Sequence, residues 1–386
     1  MISETLLDPL PLAQALIRCN SVTPSDGGAI DIVSKALHSM GFTCHPLLFS
    51  EAGTPDVNNL YARIGRNPPH LCYAGHTDVV PTGSYESWKV PPFSGHVVDD
   101  MLWGRGAADM KGAIACFIAA LARFLNQHGG LPNGSISLLI TGDEEGPAIN
   151  GTAKVLKWLA DRGEVIDACV VGEPTNPGQL GDMIKIGRRG SLNGQLTVSG
   201  MQGHVAYPSL ADNPITKLLT ILDKLQNTPL DTGTEHFDPS NLEITRLSVD
   251  NTVANIIPSK ASASFNIRFN DQHTTSSLNS WLHETCRSIS DSYELTISSS
   301  GDAFMTAPGS LSDSISDAIS KVTGRQPALS TAGGTSDARF IRRYCPVVEF
   351  GLVGQTMHKV NERIPLSDLA TLTNIYSEMI KNILST

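Results

Sequence analysis

Seven side chains of the kinds that bind metals or move protons stand at, or just beyond, the ends of apolar runs. "HLCYAGHTD" ends on His76 and Asp78, "SISLLITGDEEG" on Asp143, Glu144 and Glu145, and "ACVVGEPT" on Glu173, while "PVVEFGLVGQTMHKV" reaches His358 soon after its apolar stretch. An eighth, Asp109, lies in "GRGAADMKG", ahead of a long apolar helix pattern. Adjacent carboxylates repel one another and resist desolvation, so the acids at 143–145 are either solvated or neutralised by a cation. Two histidines and three carboxylates, His76, Asp109, Glu145, Glu173 and His358, can hold two zinc ions if Asp109 bridges them and each ion keeps one terminal histidine and one terminal carboxylate. Two such ions about 3.5–4 Å apart lower the pKa of a water between them, which is hydrolytic chemistry. Glu144 is then left free beside that water, as a general base that passes its proton to a leaving amine. Asp78, two residues after His76 on the same strand face, can accept the second ring N–H of His76 and fix its tautomer. Asp143 reads as a solvated turn residue.

Each of these residues alone has an ordinary structural explanation. A lone histidine can be a satisfied structural group, Asp109 can cap the helix that follows it, and Glu173 before Pro174 can open a turn. Repetition is what carries the signal. In open α/β sheets ligands bind outside the carboxyl ends of the strands, so strand-end residues from four segments would meet along one edge. Rival schemes lack their motifs: "GRGAAD" does not follow a strong strand and ends on Asp109, there is no HExxH, and the nearest approach to a GxSxG elbow is "GTSDA".

Positioning such a site requires an α/β layer, and the first half of the chain supplies its texture. "LAQALIRCNSV" and "GGAIDIVSKALHSMGF" have helical spacing, "DMKGAIACFIAALARFLNQHGG" is a long helix pattern, and "LCYAGHTDVV", "SISLLITG" and "ACVVGE" read as strands. Alternation of this kind with continuous apolar strands predicts a mostly parallel central sheet. From Lys185 the texture becomes strand, helix, strand, strand, helix, strand, the pattern of a small α+β unit. Near Ser300 the α/β texture resumes, ending in the helix pattern "LSDLATLTNIYSEMIKNILS". The expected organisation is an α/β catalytic domain over 1–184 and 301–386, interrupted by an α+β domain over 185–300.

A chain of 386 residues with 40% hydrophobic content can fill two cores. Its net charge of -10, without a long run of either sign, argues against a nucleic-acid surface. No apolar run approaches about 18 residues, so no membrane span is expected, and no basic segment followed by an apolar one marks a signal peptide. Seven scattered cysteines without a CxxC pair point to reduced thiols and a cytoplasmic location.

The motifs "GHTDVVP", "GRGAADMKG", "TGDEEGPA", "VVGEPT" and "HKVNE", spread from near residue 75 to near 360, resemble the di-zinc aminoacylase and carboxypeptidase family of metallopeptidase-like amidohydrolases. The resemblance implies a zinc-exopeptidase-like catalytic domain and an inserted ferredoxin-like dimerisation and lid domain. It implies His76 and Glu173 on one zinc, Glu145 and His358 on the other, Asp109 bridging, Glu144 as proton acceptor, Asp78 as a second catalytic residue, and cobalt as an alternative metal. It also implies a homodimer in which His204, in "GMQGHVAYP", reaches across to stabilise an oxyanion. Within the family, "IKIGRRGSLNGQLTVSGMQGHVAYPSLADNP", "STAGGTSDARF" and "FGLVGQTMHKVNE" look like members acting on N-succinyl-LL-2,6-diaminopimelate, a small molecule with three carboxylates. Holding it on an acidic chain calls for fixed cations, Arg188 or Arg189 and Arg268, with hydrogen bonds from Ser191, Tyr207, Asn255, Gly334 and Thr335. Ala338 stands where that pattern has glycine. The nearest rival is a deacylase of N-acetylornithine or a related aminoacylase. A non-catalytic relative of the same fold would be expected to lack ligands that this chain retains.

Overall fold

The strands His70–His76 and Ser135–Thr141 are buried along their whole length, as apolar runs at the centre of a parallel sheet must be. They lie in the computed structural model, which describes residues 2–384, within an eight-stranded sheet. Its order is Thr43–Phe49, Val57–Gly65, Ser135–Thr141, His70–His76, Ala168–Val171, Val347–Glu349, Met183–Lys185, Ala328–Ser330. The central four, from Ser135–Thr141 to Val347–Glu349, all run parallel, so their carboxyl ends share one edge. Antiparallel pairing is confined to the flanks. The strand Thr43–Phe49 was not among the expected ones: it is an edge strand, largely exposed and carrying Pro46, and so lacks the apolar run that marks the centre.

The helix Gly112–His128 is buried on nearly every side and packs with the closing helix Leu366–Leu384. Tyr73 of the sheet stacks on Phe117 at 4.1 Å between ring centroids, and Tyr376 meets both edge-on. Offset and edge-on aromatic contacts of this kind add roughly 0.5–1.5 kcal/mol each beyond their burial. The closing helix was expected to reach Ser385, which lies outside the described residues.

The chain divides into two compact units, one holding the residues up to Ile186, Thr306–Ser330 and those from Ser336 on, the other Gly187–Met305 and Thr331–Thr335. The five residues Thr331–Thr335 join the second unit because Thr331 Oγ1 donates to the carbonyl of His236, and because a Cβ on Gly333 would stand 2.8 Å from Arg188 Nη1. The second unit is a four-stranded antiparallel sheet ordered Asn241–Ser248, Lys260–Phe269, Gly190–Ser199, Tyr293–Gly301, with helices Pro214–Asn227 and Thr275–Arg287. Taken in chain order this is strand, helix, strand, strand, helix, strand, the ferredoxin-like pattern. Along Lys260–Phe269 burial alternates strictly, placing Ala261, Ala263, Phe265, Ile267 and Phe269 in the core. Gly190 and Gly194 pair with Phe269 and Phe265, and a Cβ on either would come within 2.2 Å of the ring opposite, so the aromatic rings occupy the space that the glycines leave. Among the described residues no helix is long and apolar enough to cross a membrane.

Candidate metal centre

Because the four central strands are parallel, the loops leaving them open on the same edge. His76 is the last residue of its strand, Glu144 and Glu145 follow Ser135–Thr141, Glu173 follows Ala168–Val171, and His358 lies in the loop after Val347–Glu349. Asp109 comes from the segment Ala107–Lys111 that feeds the buried helix. His76, Asp109 and Glu173 are 1%, 7% and 7% exposed.

The two oxygens of Asp109 face two different histidines. Oδ1 stands 3.2 Å from His76 Nε2, and Oδ2 stands 3.1 Å from His358 Nε2. Glu173 Oε1 is 3.7 Å from His76 Nε2, and Glu145 Oε1 is 2.8 Å from His358 Nε2. The donors therefore fall into two sets, each holding one histidine, one glutamate and one oxygen of Asp109. A tetrahedral site with bonds near 2.0–2.1 Å has ligand atoms about 3.3 Å apart, so these histidine–carboxylate spacings are compatible with zinc, and ligand atoms of His76, Asp109 and Glu145, and of His76, Glu144 and Glu173, lie within 4.8 Å of one another. His76 Nδ1 donates to the carbonyl of Asp78 at 2.9 Å, which leaves its Nε2 lone pair aimed at Asp109. Two lone pairs in that arrangement repel unless a proton or a metal ion lies between them.

The electrostatics make the same demand. Burial alone would push the His76 imidazole down, but Asp109 and Glu173 outweigh it and hold the ring well above its usual value. Asp109 and Glu145 raise His358 to about 10. Burial drives Glu173 far above the carboxylate range and, together with Asp337 and Glu145, lifts Glu144 to about 8. Asp109 moves the other way, since the two histidines overcome the cost of its burial. Two divalent ions would bring four positive charges to the four carboxylates Asp109, Glu144, Glu145 and Glu173, with both imidazoles neutral. Metal binding must displace the imidazole protons, so metal affinity falls as pH falls. Glu144 contributes to no histidine contact comparable to that of Glu145, although one of its oxygens lies within 4.8 Å of ligand atoms of His76 and Glu173.

Two expected details need correction. The His76 tautomer is fixed by the Asp78 backbone carbonyl, while the Asp78 carboxylate stands farther off, 3.7 Å from Nδ1. The carboxylate instead accepts the backbone N–H groups of Glu144 at 3.2 Å and Glu145 at 2.9 Å, and burial lifts its pKa to about 6. Asp143 is not a solvated turn residue. It is 3% exposed and accepts the N–H groups of Ala148, Ile149 and Asn150 at 3.1, 2.9 and 2.9 Å, closing the loop behind Glu144 and Glu145.

Two further residues organise the centre without having been singled out. Arg105 and Glu362 form a buried ion pair at 2.7 Å. Glu362 Oε1 accepts the N–H groups of Ala108 and Asp109 at 2.9 and 3.2 Å. Arg105 donates to the carbonyls of Pro81 and Lys359, both at 3.1 Å, and so ties the loops that follow His76 and His358 to the segment bearing Asp109. The available signal was their place inside "GRGAADMKG" and "HKVNE". Glu362→Gln leaves the Arg105 charge unpaired and loosens Asp109, so metal affinity is expected to fall about 10–100-fold. Competition with a chromophoric chelator measures this, and unchanged affinity would show that the pair does not orient the ligands.

The remaining candidates belong to the second unit. Ser191, 4% exposed, lies directly across the ladder from Arg268. Arg268 and Arg189 are close enough that burial and then the charge of Arg189 lower the Arg268 pKa. Gly334 and Thr335 lie just beyond Gly333, which borders Arg188. His204, Tyr207 and Asn255 are exposed, the His204 and Tyr207 rings 5.7 Å apart. His204 Nδ1 accepts the N–H of Ala206 at 3.0 Å, which leaves Nε2 as the ring's outward donor. Ala338 opens the short helix Ala338–Ile341 with ordinary helical backbone and is fully buried, so its methyl group is accommodated where glycine was expected.

The sequence profile of peptidase family M20/M25/M40 matches residues 72–382. A succinyl-diaminopimelate desuccinylase of Rhodospirillum centenum is 57% identical over 374 residues, 97% of each chain. One of Beijerinckia indica is 57% identical over 383 residues, 98% of this chain and 99% of the other. Among solved structures, the YXEP protein of Bacillus subtilis, described as a dinuclear metal-binding peptidase of the M20 family, superposes with a TM-score of 0.72 at 16% identity over the full length of both chains. By profile, by full-length similarity and by fold, this chain belongs to peptidase family M20/M25/M40.

Proposed function

We propose that this chain, a metal-dependent amidohydrolase, hydrolyses N-succinyl-LL-2,6-diaminopimelate to succinate and LL-2,6-diaminopimelate, serving lysine and cell-wall synthesis. The observation that carries the hydrolytic part is Asp109, with one oxygen turned to His76 and the other to His358 while Glu144 stands beside them. Support for the acyl group comes from relatives named for that activity at 54–57% identity over nearly the whole chain.

In this reading His76, Glu173 and Asp109 would hold one ion, and His358, Glu145 and Asp109 the other, zinc in the first instance with cobalt able to replace it. The ions would supply Lewis acidity and lower the pKa of the attacking water. Glu144 takes a proton from that water as the new C–O bond forms, and returns it to the amine nitrogen as the C–N bond breaks. Asp78 acts by fixing the backbone of Glu144 and Glu145. His204 donates Nε2–H to the oxygen of the scissile carbonyl, in a homodimer across the interface. Arg268 with Arg188 or Arg189 holds the substrate carboxylates, aided by Ser191, Tyr207, Asn255, Gly334 and Thr335. The second unit would serve as the dimerisation and lid domain. All seven cysteines are free thiols, which supports a cytoplasmic setting.

Paired substrates test the acyl specificity. The zinc-loaded enzyme is expected to release succinate from N-succinyl-LL-2,6-diaminopimelate at least about 100-fold more efficiently, in kcat/KM, than acetate from N-acetylornithine. Equal or better turnover of N-acetylornithine would overturn the assignment.

A further inference from the structure

At the end of the sheet away from the metal centre lies a cavity with a different chemistry. Strand Val57–Gly65 runs antiparallel to Ser135–Thr141 with Gly65 opposite Ser135, so Arg63 and Gly65 stand at the start of the strand whose far end leads to Glu144. Beside them a cavity of about 590 Å³ opens between this strand and the helix Thr152–Ala160. That volume lies within the roughly 300–1,000 Å³ typical of small-molecule sites.

Its walls are aromatic and cationic. The rings of His45, Tyr61 and Trp158 stand 5.5–6.4 Å apart, centroid to centroid. Arg63, Arg66 and Arg162 line the same space. One of these charges is already matched, because Glu164 pairs with Arg63 and also accepts the Tyr61 hydroxyl at 2.5 Å. Asp161, the other acid at this helix end, pairs with Lys157 at 2.8 Å. Arg162 lies 3.9 Å over the Trp158 ring and, among the described residues, donates only to the Trp158 carbonyl, at 3.1 Å. Among the described residues Arg66 has no hydrogen bond or ion pair, and it is exposed at the rim. Two guanidinium groups without carboxylate partners thus border an aromatic cavity, on a chain whose net charge is -10.

The three rings are in contact with one another, so the free space lies beside them, on the open side where His45, Arg66 and Arg162 are exposed. We propose that this cavity is a second ligand site, for a small molecule joining a planar ring to a carboxylate or phosphate. The ring would pack beside the exposed His45 ring and the part of Trp158 that Arg162 does not cover, and the anion would take the two unmatched guanidinium groups, which recognise either anion by paired N–H donors.

Titration calorimetry of the metal-loaded enzyme with 5'-AMP and, separately, with benzoate tests this, with adenosine and inorganic phosphate as the two halves. At least one of the two ringed anions is expected to bind saturably at one site per chain, with affinity unaffected by excess succinate and higher than that of either half. In Arg66→Glu and Arg162→Glu its affinity should fall about tenfold or more while kcat is retained. Binding of 5'-AMP alone assigns the site to phosphates, and of benzoate alone to carboxylates. No saturable binding of either up to roughly 10 mM, displacement by succinate, equal affinity for adenosine, or affinity unchanged in both variants would each overturn the proposal.

Discussion

Glu144→Gln is expected to lower kcat by about three to four orders of magnitude, the upper part of the roughly 10²–10⁴-fold contribution of a positioned acid–base group, while both metal ions stay bound. Glutamine has nearly the shape of glutamate, and the bonds from Asp78 reach the backbone of residue 144 rather than its side chain. The five proposed ligands keep their own contacts, since none of the spacings about Asp109 runs through Glu144. An amide nevertheless cannot take a proton from water and return it to an amine. Metal content by elemental analysis separates this loss from a loss of ions, and KM should change far less than kcat. Near-wild-type turnover would remove Glu144 from the proton path.

Asp109→Asn should cost as much by another route. Each Asp109 oxygen serves one donor set, and an asparagine offers one oxygen and one NH2 group, so it cannot hold both sets. The expected result is a fall from two ions to one or none, with kcat/KM down by about 10³ or more. Glu362 binds the backbone N–H groups of Ala108 and Asp109, not the Asp109 side chain, so the segment keeps that anchor, while loss of the attraction between the Asp109 carboxylate and the two imidazoles should leave the metal-free variant less stable than the metal-free parent. Retention of two ions with full activity would show that Asp109 does not bridge.

Much of this centre was legible because parallel strands impose a rule that sequence can express. Apolar runs ending on His76, Glu144, Glu173 and, after a loop, His358 had to deliver those residues to one edge. What sequence could not express was which buried backbone groups need an acceptor. Asp143 and Asp78 look like turn acids until the loop folds its N–H groups around their carboxylates. Arg105 and Glu362 lie 257 residues apart, and no local pattern announces that they pair. The same limit hid the attachment of Thr331–Thr335 to the second unit, which depends on a hydroxyl reaching His236 and on the space beside Arg188. Edge strand Thr43–Phe49 escaped notice for a different reason, since exposure removes the apolar signature by which strands are read.

Anomalous diffraction from crystals of the zinc-loaded enzyme tests the two-ion account most directly. Two peaks are expected roughly 3.5–4 Å apart on either side of Asp109, one contacted by His76 and Glu173, the other by Glu145 and His358, with Glu144 bound to neither. A single peak, or Glu144 in the place of Glu173 or Glu145, would contradict it.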